Sequence, residues 1–137
     1  MDKSKLKILA GDDHLLSLRL LTRQLELLGF SPPQTVSNGE EVQKRLEQEP
    51  FDIVILDWVM PVKNGMTVLK ECRAQAKFAG VAFLMLSSEA HAHMVQQALD
   101  AGANAYAIKP VNQAALEEKM NVVLAWLAEA RKNVRQA

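Results

Sequence analysis

The sequence predicts an α/β fold in which five short apolar strands alternate with five amphipathic helices around a doubly wound parallel sheet. Three observations carry that expectation. The apolar runs at 6–10, 51–56 and 81–86 lack the in-and-out alternation of a half-exposed strand, as expected of strands covered on both faces. Between them, apolar residues recur at spacings of three and four, the period of a helix with one buried side. The two kinds of segment then succeed one another along the chain, which suits right-handed crossovers between parallel strands.

The first strand is "LKILA", and the helix after it carries Leu18, Leu21, Leu25 and Leu28 before Gly29 closes it. A weaker strand at Thr35 and Val36 leads to Asn38, a residue suited to capping a helix with Val42 and Leu46 on its inner side. Glu40 with Lys44, and Glu41 with Arg45, have the spacing that supports a helix and need no other role. The third strand, "FDIVIL", runs into Asp57, and Met66, Leu69 and Cys72 mark the third helix. After the fourth strand come Ser87 and Ser88, then a helix using Met94 or Val95 with Ala98 or Leu99, ending at Gly102. A fifth strand at Ala105 to Ile108 precedes Lys109 and Pro110, and Leu116, Met120, Val123 and Leu127 form the last stripe. Val122 and Trp126 lie off that stripe, either widening it or presenting a contact surface. His91 and His93, two apart, should not face each other on a helix and are expected to be exposed.

With 137 residues the chain suits one domain, expected over residues 1–130, leaving 131–137 as a tail or the start of a linker. Sixteen basic and sixteen acidic residues cancel, so no overall charge calls for nucleic acid or an anionic membrane as partner. Cys72 is the one cysteine, which excludes an internal disulfide and favours the cytoplasm. No apolar run approaches the roughly 20 residues of a membrane-spanning helix.

Chemistry collects where the strands end. Asp12 and Asp13 follow the first strand, Asp57 the third, Ser87 the fourth and Lys109 the fifth. In a parallel sheet these places share one edge, where ligands of such folds bind. Three carboxylates together raise one another's pKa unless cations neutralise them, and Lys109 supplies only one charge. Oxygen donors with few other ligands suit Mg2+, whereas His14 as the sole nearby imidazole argues against zinc or copper. A carboxylate beside Mg2+ can attack phosphorus to give an aspartyl phosphate, with Lys109 absorbing charge and Ser87 donating to a phosphoryl oxygen.

The segments "GDDH", "ILDWVMP" with Gly65 four residues on, "MLSS" and "AIKP" resemble, in order and spacing, the receiver domains of two-component response regulators, of the chemotaxis-regulator type. The resemblance spans about Leu6 to Leu127. It implies a flavodoxin-like sheet of order 2-1-3-4-5, Asp57 as phosphoacceptor, and Asp12 and Asp13 as the pair that holds Mg2+ together with Asp57 and the main-chain carbonyl of Val59. Lys109 matches the family's lysine, Ser87 its hydroxyl switch and Tyr106 its aromatic switch, and Lys109–Pro110 its cis peptide. The phosphoryl donor implied is a phosphohistidine on a kinase or phosphotransfer protein. Phosphorylation would then change the face formed by the fourth helix, fifth strand and fifth helix, which engages a downstream protein or a fused output domain, with a homodimer as a further expectation. Neither nucleic acid nor membrane is expected to bind this domain directly.

Trp58, Glu89 and His14 are expected to modulate the site: Trp58 by shielding it, Glu89 by orienting or excluding water, and His14, at the start of the first helix, by lying beside the acidic pair. Val59 offers no polar side chain where the family tunes hydrolysis of the phosphoryl group, so the lifetime stays open. A receiver fragment of a longer regulator fits the same residues. A phosphohydrolase with an aspartyl-phosphate intermediate would need an acid shortly after the nucleophile, which Trp58 and Val59 do not supply, and a binding module independent of phosphate would not need the acidic cluster.

Overall fold

The structure is a computed structural model that describes residues 1–136, with side chains through Lys132. Its strands are β1 (Ile8–Gly11), β2 (Gln34–Val36), β3 (Ile53–Leu56), β4 (Ala82–Ser87) and β5 (Ala105–Ile108). They alternate with α1 (Leu15–Leu27), α2 (Gly39–Gln48), α3 (Gly65–Arg73), α4 (Ala92–Asp100) and α5 (Gln113–Gln136). Short 3-10 turns stand at Lys3–Lys5 and Ala76–Phe78. All pairings are parallel and the sheet runs β2-β1-β3-β4-β5, the expected order.

The missing alternation in the strands has a direct cause. Ile8, Ala10, Ile53, Ile55, Leu84 and Ala107 face one layer with Leu21 and Leu25 of α1 and Leu116, Met120, Val123 and Leu127 of α5. Leu9, Val54, Leu56, Phe83, Met85 and Tyr106 face the other, with Val42, Leu46, Val68, Leu69, Cys72 and Ala98 from α2, α3 and α4. Both faces are apolar because both are covered. Burying each of the Val, Leu, Ile, Phe and Met side chains among them stabilises the fold by about 1.5–3 kcal/mol before conformational entropy is set against it.

Element ends follow local chemistry. Gly29 and Gly102 take positive φ, 96° and 113°, just beyond α1 and α4, where an L side chain would be strained. Asn38 and Asn64 accept hydrogen bonds from the Glu41 and Thr67 amides at 2.9 Å, capping α2 and α3. Periodicity selected the right leucines of α1, since Leu18, Leu21 and Leu25 are buried while Leu15, Leu16, Leu20 and Leu27 are exposed. Trp126 packs against the α5 side of the core, whereas Val122 is exposed.

The strands are shorter at their starts than the apolar runs suggested. Leu6, Phe51 and Val81 are buried but precede the ladders, because an apolar side chain is buried by packing whether or not its backbone is paired. His91 and His93 are exposed as expected, but they face each other, with ring centroids 5.8 Å apart. His91 stands before the first turn of α4 in extended backbone, so helical spacing does not apply to the pair. Helix α5 passes residue 131 unbroken, and Arg131 pairs with Asp52 ahead of β3. The rest of the tail expected at 131–137 has its side chains beyond Lys132 and its last residue, Ala137, outside the described residues.

Candidate functional site

Parallel pairing continues one residue past β1, β3 and β5, and that is what fixes the site. The Asp12 amide donates to the Val36 carbonyl at 3.1 Å, the Asp57 amide to the Gly11 carbonyl at 2.9 Å, and the Lys109 amide to the Ser87 carbonyl at 2.9 Å. Each chemical side chain therefore projects from backbone held by the sheet. Ladder bonds anchor such positions more tightly than a free loop would.

Asp12, Asp13, Asp57 and His14 come together, with one ligand atom from each lying within 4.8 Å of the others. Lys109 Nζ bridges two of the acids, donating to Asp57 Oδ2 at 3.0 Å and also to Asp12 Oδ2. Asp12 and Asp57 are buried, and Asp13 is exposed at the rim. Burial by itself pushes the Asp12 carboxyl up, but hydrogen bonds from Lys109 and the His14 amide outweigh it and hold the group below its usual value. For Asp57 burial prevails over the bond from Lys109, with the Asp12 charge adding to it, and the carboxyl is raised. Lys109 would be lowered by burial, yet its two carboxylate partners raise it.

The loop after β3 is clamped against the acid. The Gly65 amide donates to the Trp58 carbonyl at 2.8 Å, and a Cβ on Gly65 would lie 2.1 Å from the Asp57 carbonyl oxygen. Only glycine permits that approach. Val62 takes φ of 68° within a tight turn closed by the Lys63 amide on the Pro61 carbonyl at 2.7 Å, an uncommon conformation for a β-branched residue. Nothing in the apolar pattern of "VMPVKNG" signals it. Val59 is 62% exposed, and its amide lies 3.4 Å from Asp57 Oδ1.

Ser87 is buried, and its Oγ accepts from the Glu89 amide at 3.2 Å. Tyr106 is also buried, its hydroxyl donating to the Glu89 carbonyl at 2.7 Å and its ring edge-on to Trp58 at 6.4 Å between centroids. Burial raises the Tyr106 hydroxyl above its ordinary pKa. Glu89 thus joins Ser87 to Tyr106 through its main chain, a role its side-chain chemistry could not announce. The Lys109–Pro110 bond is cis, as expected. His14, N-terminal to α1, makes no capping bond with its side chain but turns its ring back on the acids.

Known proteins with these features are numerous. The response regulator receiver domain family matches residues 8–121. The chain is 34% identical over 118 residues to chemotaxis protein CheY-3 of Vibrio cholerae, covering 86% of this chain and 91% of that one. It is 32% identical over 120 residues to chemotaxis protein CheY1 of Helicobacter pylori, covering 87% and 97%. Among solved structures, CheY4 of Vibrio cholerae superposes with a TM-score of 0.78 at 28% identity, covering 86% of this chain and 98% of that one. CheY in the CheX-CheY-BeF3-Mg2+ complex of Borrelia burgdorferi gives a TM-score of 0.78 at 26% identity, covering 87% and 89%. The order of the sheet, the acids at its carboxyl edge and these likenesses lead to one conclusion: the chain belongs to the response regulator receiver family, whose domains take up a phosphoryl group in two-component signalling.

Proposed function

We propose that Asp57 is the phosphoacceptor, and that Asp12, Asp13, Asp57 and the Val59 carbonyl hold Mg2+. The convergence of three carboxylates, two of them bridged by a single ammonium, carries this reading. Three negative charges against one positive leave an excess of two, the charge of a divalent ion, and the donors are the hard oxygens Mg2+ prefers. Bound there, the ion would offset charge on the phosphoryl oxygens as they are transferred.

The remaining work belongs to the chain. An Asp57 carboxylate oxygen forms the new bond to phosphorus as the phosphorus–nitrogen bond of a partner's phosphohistidine breaks, and the leaving imidazole retains the electron pair and takes a proton. Lys109, already in contact with Asp57, neutralises an oxygen of the arriving group. The Ser87 hydroxyl donates to another oxygen. When Ser87 moves toward the phosphoryl group its bond to the Glu89 amide is strained, and Tyr106, bonded to the carbonyl of the same residue, responds. A local charge change thereby reaches β5 and α4.

On this reading the domain catalyses only its own phosphorylation and dephosphorylation, acting in the cytoplasm as a signalling element. The groove lined by Leu20, Leu21, Pro110 and Val111 opens beside Lys109 and suits the approach of a histidine kinase or phosphotransfer protein. Leu99 of α4, Ile108 of β5 and Val122 of α5 are exposed apolar residues, which supports that face as the surface offered to a downstream protein. The test is incubation with Mg2+ and acetyl phosphate followed by intact-mass measurement. A base-labile adduct of one phosphoryl group is expected, absent in Asp57→Asn; no adduct with any small phosphodonor would refute the assignment.

A further inference from the structure

The imidazole of His14 meets both carboxylates of the acidic pair. Its Nδ1 lies 3.1 Å from Asp12 Oδ1 and 3.1 Å from Asp13 Oδ1. Neighbouring donors of an octahedral ion with bonds of about 2.1 Å are about 3.0 Å apart, so the nitrogen keeps the spacing of an adjacent ligand from both carboxylates. The ring is held there by chain geometry: His14 is extended, with φ −100° and ψ 107°, and its own amide donates to Asp12 Oδ1 at 2.9 Å. Because the side chain is 68% exposed, its other nitrogen can keep its contact with water.

Resting on the reading of Asp12, Asp13 and Asp57 as metal-holding residues, we infer that His14 contributes a nitrogen ligand and biases this receiver toward a first-row divalent transition ion, such as Mn2+ or Co2+, over Mg2+. Carboxylates alone already bind such ions more tightly than Mg2+, and a nitrogen donor adds to that preference more for Co2+ than for Mn2+, which favours oxygen ligands as Mg2+ does. In the sequence, His14 as the sole imidazole near the acids argues against zinc or copper. The structure shows that histidine inside the cluster, with no bond drawing its ring elsewhere.

The experiment is calorimetric titration of Mg2+, Mn2+ and Co2+ into the wild-type chain, His14→Ala and Asp57→Asn at pH 8, with circular dichroism to verify folding. His14→Ala is expected to lose about tenfold or more in Co2+ affinity while its Mg2+ affinity changes by less than about threefold. Electron spin echo spectroscopy of the Mn2+-loaded wild type should show coupling to a nitrogen nucleus that disappears in His14→Ala and persists in Asp57→Asn. Equal losses for Mg2+ and Co2+, or no nitrogen coupling while Mg2+ still binds in an Asp57-dependent way, would make His14 a hydrogen-bond partner only and overturn the inference. Failure of every ion to bind the wild type would instead overturn the metal reading of the acids, and the inference with it.

Discussion

The two edges of the sheet handle charge in opposite ways. At the amino edge, Arg73 donates to the Gly102 carbonyl at 3.0 Å, the Phe78 carbonyl at 3.0 Å and Asn104 Oδ1 at 2.9 Å. Its guanidinium also lies 4.7 Å from the Phe83 ring centroid and 5.5 Å from that of Trp126. Asp52 on the same edge accepts from the Lys7 amide at 2.8 Å and pairs with Arg131. Charge there is matched by neutral acceptors, aromatic faces or an opposite charge. At the carboxyl edge, Asp12, Asp13 and Asp57 share Lys109 and His14, and a β-branched residue sits in a strained turn nearby. One edge is settled within the chain; the other is left to be completed by something that binds.

If that contrast is right, replacing groups at the first edge should lower stability without touching chemistry, and the reverse should hold at the second. The largest effect expected is Arg73→Met, which strips the Gly102 carbonyl of its donor, takes one of two donors from the Phe78 carbonyl and from Asn104 Oδ1, and costs about 3 kcal/mol in these half-buried surroundings. Urea denaturation measures the loss, and phosphoryl uptake by the folded fraction should match the wild type.

Between the edges, the Cys72 thiol is pushed up to about 11 by burial. A raised folded pKa means that the unfolded thiol ionises first, so stability is intact below the unfolded value and falls as pH climbs toward 11. Relative to Cys72→Val, the wild type should lose about 2 kcal/mol between pH 9 and pH 11, followed by denaturation across that range. A constant difference would show that the thiol is not the titrating group.

Asp57→Asn reverses the usual direction. Burial has raised the Asp57 carboxyl, so its charged form opposes folding above the unfolded pKa and the opposition vanishes at lower pH. Without divalent ions the variant should be more stable than the wild type at pH 7 and no different near pH 3. Equal stability at pH 7 would show that Lys109 already satisfies the acid. The smallest effect belongs to Val62→Gly, expected to stabilise by about 0.5 kcal/mol because relief of the left-handed strain slightly exceeds the added unfolded-state entropy. A loss in thermal melting would place the strain elsewhere.

The layers, the order of elements and the chemical types at each strand end are legible along the chain, because periodicity and strand burial are local consequences of which residues are apolar. Asp12, Asp57, Ser87 and Lys109 were legible as edge residues for the same reason: each follows an apolar run. What only the tertiary structure decided were relations across distant segments. These include Lys109 spanning two acids, Glu89 joining Ser87 to Tyr106 by its main chain, the close approach of Gly65 to the Asp57 carbonyl, and the ring of His14 folding back onto Asp12 and Asp13. Backbone bonds carry no side-chain signature, and the direction of an exposed ring depends on the few degrees of freedom that the surrounding chain fixes last. Periodicity therefore names the edge where chemistry happens, while the fold alone sets which groups meet there.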